Sequence, residues 1–149
     1  MSSATTLLIE IGQSWGWTGI KPVQVVKENP FGNLLIQDTN GRYWRLCPEE
    51  VSCEIIADSR LELDLLFEDQ SFLDDWYMRP LVSLAEDMCG PLAKNRKYHL
   101  RVPGVLGGEY GGSNLVTVDQ IDQLRFSGDI GLQIRDLPDG AEIELKVVE

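Results

Sequence analysis

Between Phe72 and Met88 the apolar residues Phe72, Leu73, Trp76, Tyr77, Leu81, Leu84, Ala85 and Met88 recur at spacings of three and four, with a proline, Pro80, set among them. The spacing predicts a helix with one apolar stripe. Pro80 has no N–H to donate and its ring crowds the preceding turn, so the helix must kink or split in two there. Ser71 or Asp69 is placed to cap its start. Gly90-Pro91 ends it. Asp74, Asp75, Glu86 and Asp87 fall off the stripe and are expected to face water or a partner. A one-sided helix needs an apolar surface to cover it.

The first third of the chain supplies that surface as β-structure. Val23, Val25 and Val26 follow Pro22, and the runs Phe31 to Asp38 and Arg42 to Cys47 flank Thr39-Asn40-Gly41. Asn-Gly suits a tight turn because both residues tolerate positive φ, so these runs predict a hairpin. Pro48 ends the second strand. Ser52 to Ala57 reads either as a further strand or as a helical turn opened by Pro48-Glu49-Glu50. Trp44 on the hairpin and Trp76 on the stripe are expected in the core.

The last third opens with a strand from Tyr98 to Val102, closed by Pro103, and runs into the glycine-rich stretch Gly104 to Gly112. A strand at Asn114 to Thr117 follows. Thr117 with Gln120 three residues on fits a capping box. Ile121, Leu124, Ile130, Ile134 and Leu137 continue at helical spacing, interrupted at Ser127-Gly128 as at a bend or junction. Leu137-Pro138-Asp139-Gly140 reads as a turn and Ala141 to Val148 as a last strand. The expected architecture is a single α+β domain over residues 1–149, with an antiparallel-rich sheet packed against two main helical segments. Residues 1–20 form an N-terminal extension, whose apolar run Leu7 to Ile11 is short and broken by Glu10. Trp15-Gly16-Trp17 either staples it to the domain or stays partly exposed for binding.

Charge is distributed very unevenly. The chain carries 24 acids against 13 Lys and Arg, net −11 with its one His neutral. From Glu49 to Asp87 twelve acids are opposed only by Arg60 and Arg79, so this segment holds −10 of the total. Such a field repels phosphate, which argues against direct nucleic-acid binding. It reads either as a solvated face or as a surface complementary to a basic partner. The densest part, Asp64, Glu68, Asp69, Asp74 and Asp75, forms the candidate partner surface. Glu109 and Tyr110, displayed on the glycine-rich loop, are a second candidate, since Tyr is enriched in interfaces.

Residue types that carry catalysis or metals are sparse. Cys47, Cys53 and Cys89 lack paired spacing, and His99 is the single His. Four-ligand zinc binding is not expected, and buried free thiols suit a reducing compartment. The stretch Gly107-Gly108-Glu109-Tyr110-Gly111-Gly112 has neither dinucleotide nor P-loop spacing, and Glu109 would repel phosphate. It reads as a tight turn. No nucleophile–base signature appears. Neither a signal peptide nor a membrane span is visible, so the expected location is the cytoplasm. No catalytic residue, metal or cofactor is expected.

Four blocks together resemble a known family. They are Asn29-Pro30-Phe31-Gly32-Asn33 with Asp38 to Glu50; Asp75-Trp76-Tyr77-Met78; Pro103 to Tyr110 with Asn114; and Phe126-Ser127-Gly128-Asp129-Ile130 with Gln133 to Gly140. These resemble the C-terminal domain family of bacterial type VI secretion immunity proteins, over roughly residues 20 to 148. The best understood members bind and block DNase toxins. The resemblance therefore implies an antitoxin that neutralises a cognate secreted effector, a nuclease among the candidates, by protein–protein contact and without chemistry of its own. Members often carry an upstream domain related to one in glutamate-tRNA ligases, for which 149 residues leave no room as a separate unit. The alternatives are a non-immunity cytoplasmic regulatory or scaffold module of the same family, or an enzyme using the Gly107 to Gly112 loop.

Overall fold

Leu34-Leu35-Ile36 is a continuous apolar run in a strand, and a strand with that composition must be covered on both faces. The computed structural model, which describes residues 4–137, shows how. Strands β1 (Pro22–Glu28), β2 (Leu34–Asp38), β3 (Tyr43–Cys47) and β4 (Ser52–Ala57) form an antiparallel meander in sequence order. Leu34 and Ile36 point into a cluster with α1 (Ala4–Trp15) and α5 (Gln120–Ile134). Leu35 points the other way, into a cluster with Leu63 of α2 (Arg60–Leu66) and Trp76 of α3 (Gln70–Tyr77). The expected α+β architecture is thus observed. The segment Ser52–Ala57, left open between strand and helical turn, is strand. The turn beyond Leu137 and the strand Ala141 to Val148 lie outside the described residues.

The hairpin turn forms around Asp38. Its Oδ1 accepts from the Asn40 and Arg42 amides at 2.8 and 2.9 Å, its Oδ2 accepts from Trp44 Nε1 at 2.8 Å, and Gly41 takes φ +77°. Burial works to raise the Asp38 pKa, but these hydrogen bonds and the Arg42 charge outweigh it and hold the carboxyl below its usual value.

Pro80 splits the predicted helix. The first part, α3, is capped by Asp69, whose Oδ1 accepts from Ser71 N at 2.9 Å. It ends at Met78 with φ +50°, and α4 (Arg79–Cys89) starts with Pro80 in its first turn. Because the chain turns at Met78, α4 does not prolong the stripe of α3. Leu81, Val82, Ala85 and Cys89 face the core, while Leu84 and Met88, expected on the stripe, are exposed. Pro80 also leaves the Trp76 carbonyl without its helical donor. Asn29 Nδ2 fills that place at 2.8 Å.

The second sheet pairs β5 (Arg96–Leu100) with β6 (Leu115–Asp119), antiparallel, and rests on α4 through Tyr98, Leu100 and Leu115. The expected capping box at Thr117 does not form. Thr117 lies within β6, and Asp119 caps α5 by accepting from the Ile121 and Asp122 amides. Nor does α5 break at Ser127-Gly128. The Ser127 hydroxyl donates to Gln123 O at 2.7 Å, and Gly128 provides a close approach: a Cβ there would lie 2.3 Å from Ser14 O of α1. Across this contact Trp17 Nε1 donates to both Ser14 O and Gly128 O, and Arg125 pairs with the buried Glu10 at 2.8 Å. Trp15 is fully buried and stacks on Trp17 at 5.7 Å.

His99 is 7% exposed, beside Gln123 Nε2 and the edge of the Phe126 ring. Desolvation lowers its pKa from 6.5 to about 4. A base whose folded pKa lies below its unfolded one takes up a proton on unfolding. Stability is therefore complete above pH 6.5 and is lost as pH falls toward 4. Between pH 7 and 5 this group alone is expected to remove about 2 kcal/mol. Urea unfolding of wild type and His99→Gln at both pH values checks it: the wild type should lose that much more than the variant. Equal losses would refute the buried neutral imidazole. The single His also gives one unambiguous NMR titration.

Candidate functional site

The turn Pro48–Val51 between β3 and β4 carries Glu49 and Glu50. It is closed by Val51 N donating to Pro48 O at 3.1 Å, with Val51 at φ +53°. Three segments meet at this turn. From the sheet comes Arg45, whose Nη1 pairs with Asp75 of α3, whose Nε donates to Asn33 Oδ1 at 3.0 Å, and whose guanidinium lies 5.2 Å from the Trp76 ring centre. Asn33 in turn gives its Nδ2 to both oxygens of Glu49, at 3.0 and 2.8 Å. From the glycine-rich loop, Gly104 N donates to Glu49 O at 2.7 Å.

That loop is wound tightly, as its glycines predict. A Cβ on Gly108 would lie 1.8 Å from Val102 O, and one on Gly104 would lie 2.2 Å from Tyr110 Oη and 2.8 Å from Glu50 Oε1. Asn114 holds the loop shut, accepting from Val102 N and donating to the Val102 and Glu109 carbonyls. Tyr110 is thereby folded back toward Glu50. The result is a cleft of about 240 Å³ lined by Arg45, Cys47, Glu49, Glu50, Ser52, Asp75, Met78 and Tyr110.

Of the residues singled out from sequence, the fold brings Asp75 and Tyr110 into this cleft, from α3 and from a loop over thirty positions away. The others lie outside it. Asp64 pairs with Arg60 one turn earlier, at 2.9 Å. Asp69 is the α3 cap, and Asp74 accepts from Gln70 Nε2 at 2.8 Å. Glu68 and Glu109 are exposed, and among the described residues no hydrogen bond or ion pair engages either carboxylate. Arg45, Glu49 and Glu50 were not singled out. The doublet Glu49-Glu50 directly after Pro48 was the available signal, because a proline-opened turn presents both carboxyls at one end of a sheet.

Eleven of the twelve acids between Glu49 and Asp87 are exposed, and Glu49 alone is buried. Partial desolvation, and then the neighbouring Glu49 charge, raise the Glu50 pKa. Burial pushes the Cys47 thiol far above its usual range and Cys53 up to about 12, so neither is an activated nucleophile. Among the described residues no group of three His, Cys, Asp or Glu is placed to hold a metal ion, and no helix is long and apolar enough to cross a membrane.

A comparison with curated proteins gives no match. The family described as T6SS immunity protein Tdi1, C-terminal, matches residues 57–131, from the end of β4 into α5. The match is narrower than the span of the four sequence blocks. It takes in Asp75 to Met78, Pro103 to Asn114 and Phe126 to Ile130, and leaves Asn29 to Asn33 and the Glu49-Glu50 turn outside. Asp75, Met78 and Tyr110 of the cleft fall within it. Covering half of the chain and most of its helices, the match shows that this protein belongs to the T6SS immunity protein Tdi1 C-terminal family.

Proposed function

We propose that this chain is a cytoplasmic immunity protein that neutralises a cognate type VI effector by direct contact, with no catalytic step of its own. The effector's expected class is a nuclease, because an enzyme acting on nucleic acid needs a basic groove to neutralise phosphates. The observation that carries the proposal is the exposure of eleven acids from Glu50 to Asp87, within a family of immunity proteins. Exposed charge of one sign steers a partner of the other and raises the association rate.

The structure also selects which acids test steering without disturbing the fold. Asp75 is tied to Arg45, Asp64 to Arg60, and Asp69 caps a helix. Glu68 and Asp74 are exposed, and among the described residues their carboxylates engage only the Gln70 amide. The double reversal Glu68→Lys, Asp74→Lys should lower the association rate with the effector about tenfold at low salt, and wild type and variant should converge at high salt. Stability should change by no more than about 0.5 kcal/mol. Stopped-flow mixing with the effector captured on this protein from its host, identified by mass spectrometry, provides the measurement. Equal low-salt rates would remove Glu68 and Asp74 from the interface.

A further inference from the structure

The cleft beside the Pro48–Val51 turn contains one cation and three acids, and the cation is already engaged. Arg45 pairs with Asp75, donates to Asn33 and lies against Trp76. That leaves Glu49 and Glu50. Glu49 is 5% exposed, and its carboxylate is hydrogen-bonded by the neutral Asn33 amide and the neutral Cys47 thiol. Glu50 has neither an ion pair nor a hydrogen bond among the described residues, and its pKa is raised by desolvation and by Glu49. A carboxylate held next to a second one, with no counter-charge, is stabilised by any cation that enters. Tyr110 also lines the cleft, and its hydroxyl and Glu50 Oε1 both approach the bare Cα of Gly104, where a Cβ would lie 2.2 and 2.8 Å from them. At about 240 Å³ the space is below the roughly 300–1,000 Å³ of small-molecule sites, so it suits one side chain rather than a metabolite.

We infer that this cleft is a seat for a single guanidinium side chain of the bound partner, held by Glu50 and covered by the Tyr110 ring. An arginine fits better than a lysine. Its planar fork meets a carboxylate through two parallel N–H donors and stacks on an aromatic face, which a compact ammonium does not do. Arginine is also among the residues that dominate interface energies when they fill a central pocket. The inference deepens the proposed binding of a basic effector and names the anchor that steering would deliver.

The seat can be tested without the effector. Isotope-labelled protein is titrated with propylguanidinium, with butylammonium and with the neutral propylurea, and amide shifts are followed by NMR. Propylguanidinium should move the amides of Glu50, Val51, Gly104 and Tyr110, while propylurea should leave them in place. Affinity should fall about tenfold in Glu50→Gln and also in Tyr110→Leu, and stay unchanged in Asp122→Asn, an exposed acid of α5 outside the cleft. No movement at these amides, equal binding of the ammonium, or undiminished binding by Glu50→Gln would overturn the inference. If guanidinium fails to bind while the Glu68, Asp74 reversal still slows effector association, the seat is wrong and the immunity reading stands. If guanidinium binds while the reversal changes nothing, steering is refuted and the seat stands.

Discussion

Asn29→Ala should lower stability by about 3–5 kcal/mol. Asn29 Oδ1 accepts from the Phe31 and Asn33 amides, both at 3.0 Å, and its Nδ2 donates to the Trp76 carbonyl at 2.8 Å. Asn29 is 3% exposed, so truncation leaves three buried groups without partners, at about 1–3 kcal/mol each before relaxation. The Trp76 carbonyl has no alternative, since the residue four positions on is Pro80, which has no N–H. The loss should appear as a lower urea midpoint with an unchanged slope. It should also lower the melting temperature by about 10 °C. A loss below about 1 kcal/mol would mean that this network is not what joins the β1–β2 turn to the end of α3.

Gly128→Val should cost about 3 kcal/mol, because the obstacle is backbone. The added Cβ would lie 2.3 Å from the Ser14 carbonyl oxygen and 2.9 Å from its carbon, and neither atom can rotate away as a side chain would. Helix α1 would have to lift from α5, weakening the shared Trp17 N–H and the Glu10–Arg125 pair. Gly12, within α1, has nothing within 4 Å of its would-be Cβ. Gly12→Ala should therefore stabilise the protein by about 0.5–1 kcal/mol. Denaturant melts of both variants separate helix packing from helix propensity. Two changes of the same sign would contradict the close approach.

The N-terminal helix shows most clearly where sequence reading failed. The run from Leu7 to Ile11 looked broken by Glu10, yet Glu10 is buried on the inner face of α1, where Arg125 and Ser14 satisfy it. Arg125 is more than a hundred positions away, and no local pattern announces a partner at that distance. Ser127-Gly128 misled for a related reason. A small pair inside a helical pattern reads as weakness until the helix it accommodates is known. At α5 the capping residue was misplaced by two, because Thr117 and Asp119 both suit a cap and strand pairing with β5 claimed the first.

The candidate site was half legible. Asp75 and Tyr110 were both named, one for charge and one for its loop, but nothing along the chain joined them. Glu49 and Glu50 passed as two more members of an acidic run. Burial of Glu49 against Asn33, and the desolvation and neighbouring charge that raise the Glu50 pKa, are what separate them from the rest.

By itself the sequence determined the hairpin at Asn40-Gly41, the interruption of the Phe72–Met88 helix at Pro80, as a kink or a split, the tight winding of the glycine-rich loop and the acidity of the middle segment. Each follows from backbone chemistry, side-chain periodicity or composition within one stretch of chain. Only the tertiary structure decided which polar groups lose water and which residues replace it. Glu10 with Arg125, Asn29 with the Trp76 carbonyl, and the Arg45–Asp75 pair that leaves Glu50 without a counter-charge among the described residues are all set by segments meeting from far apart, and desolvation depends on that meeting rather than on local order.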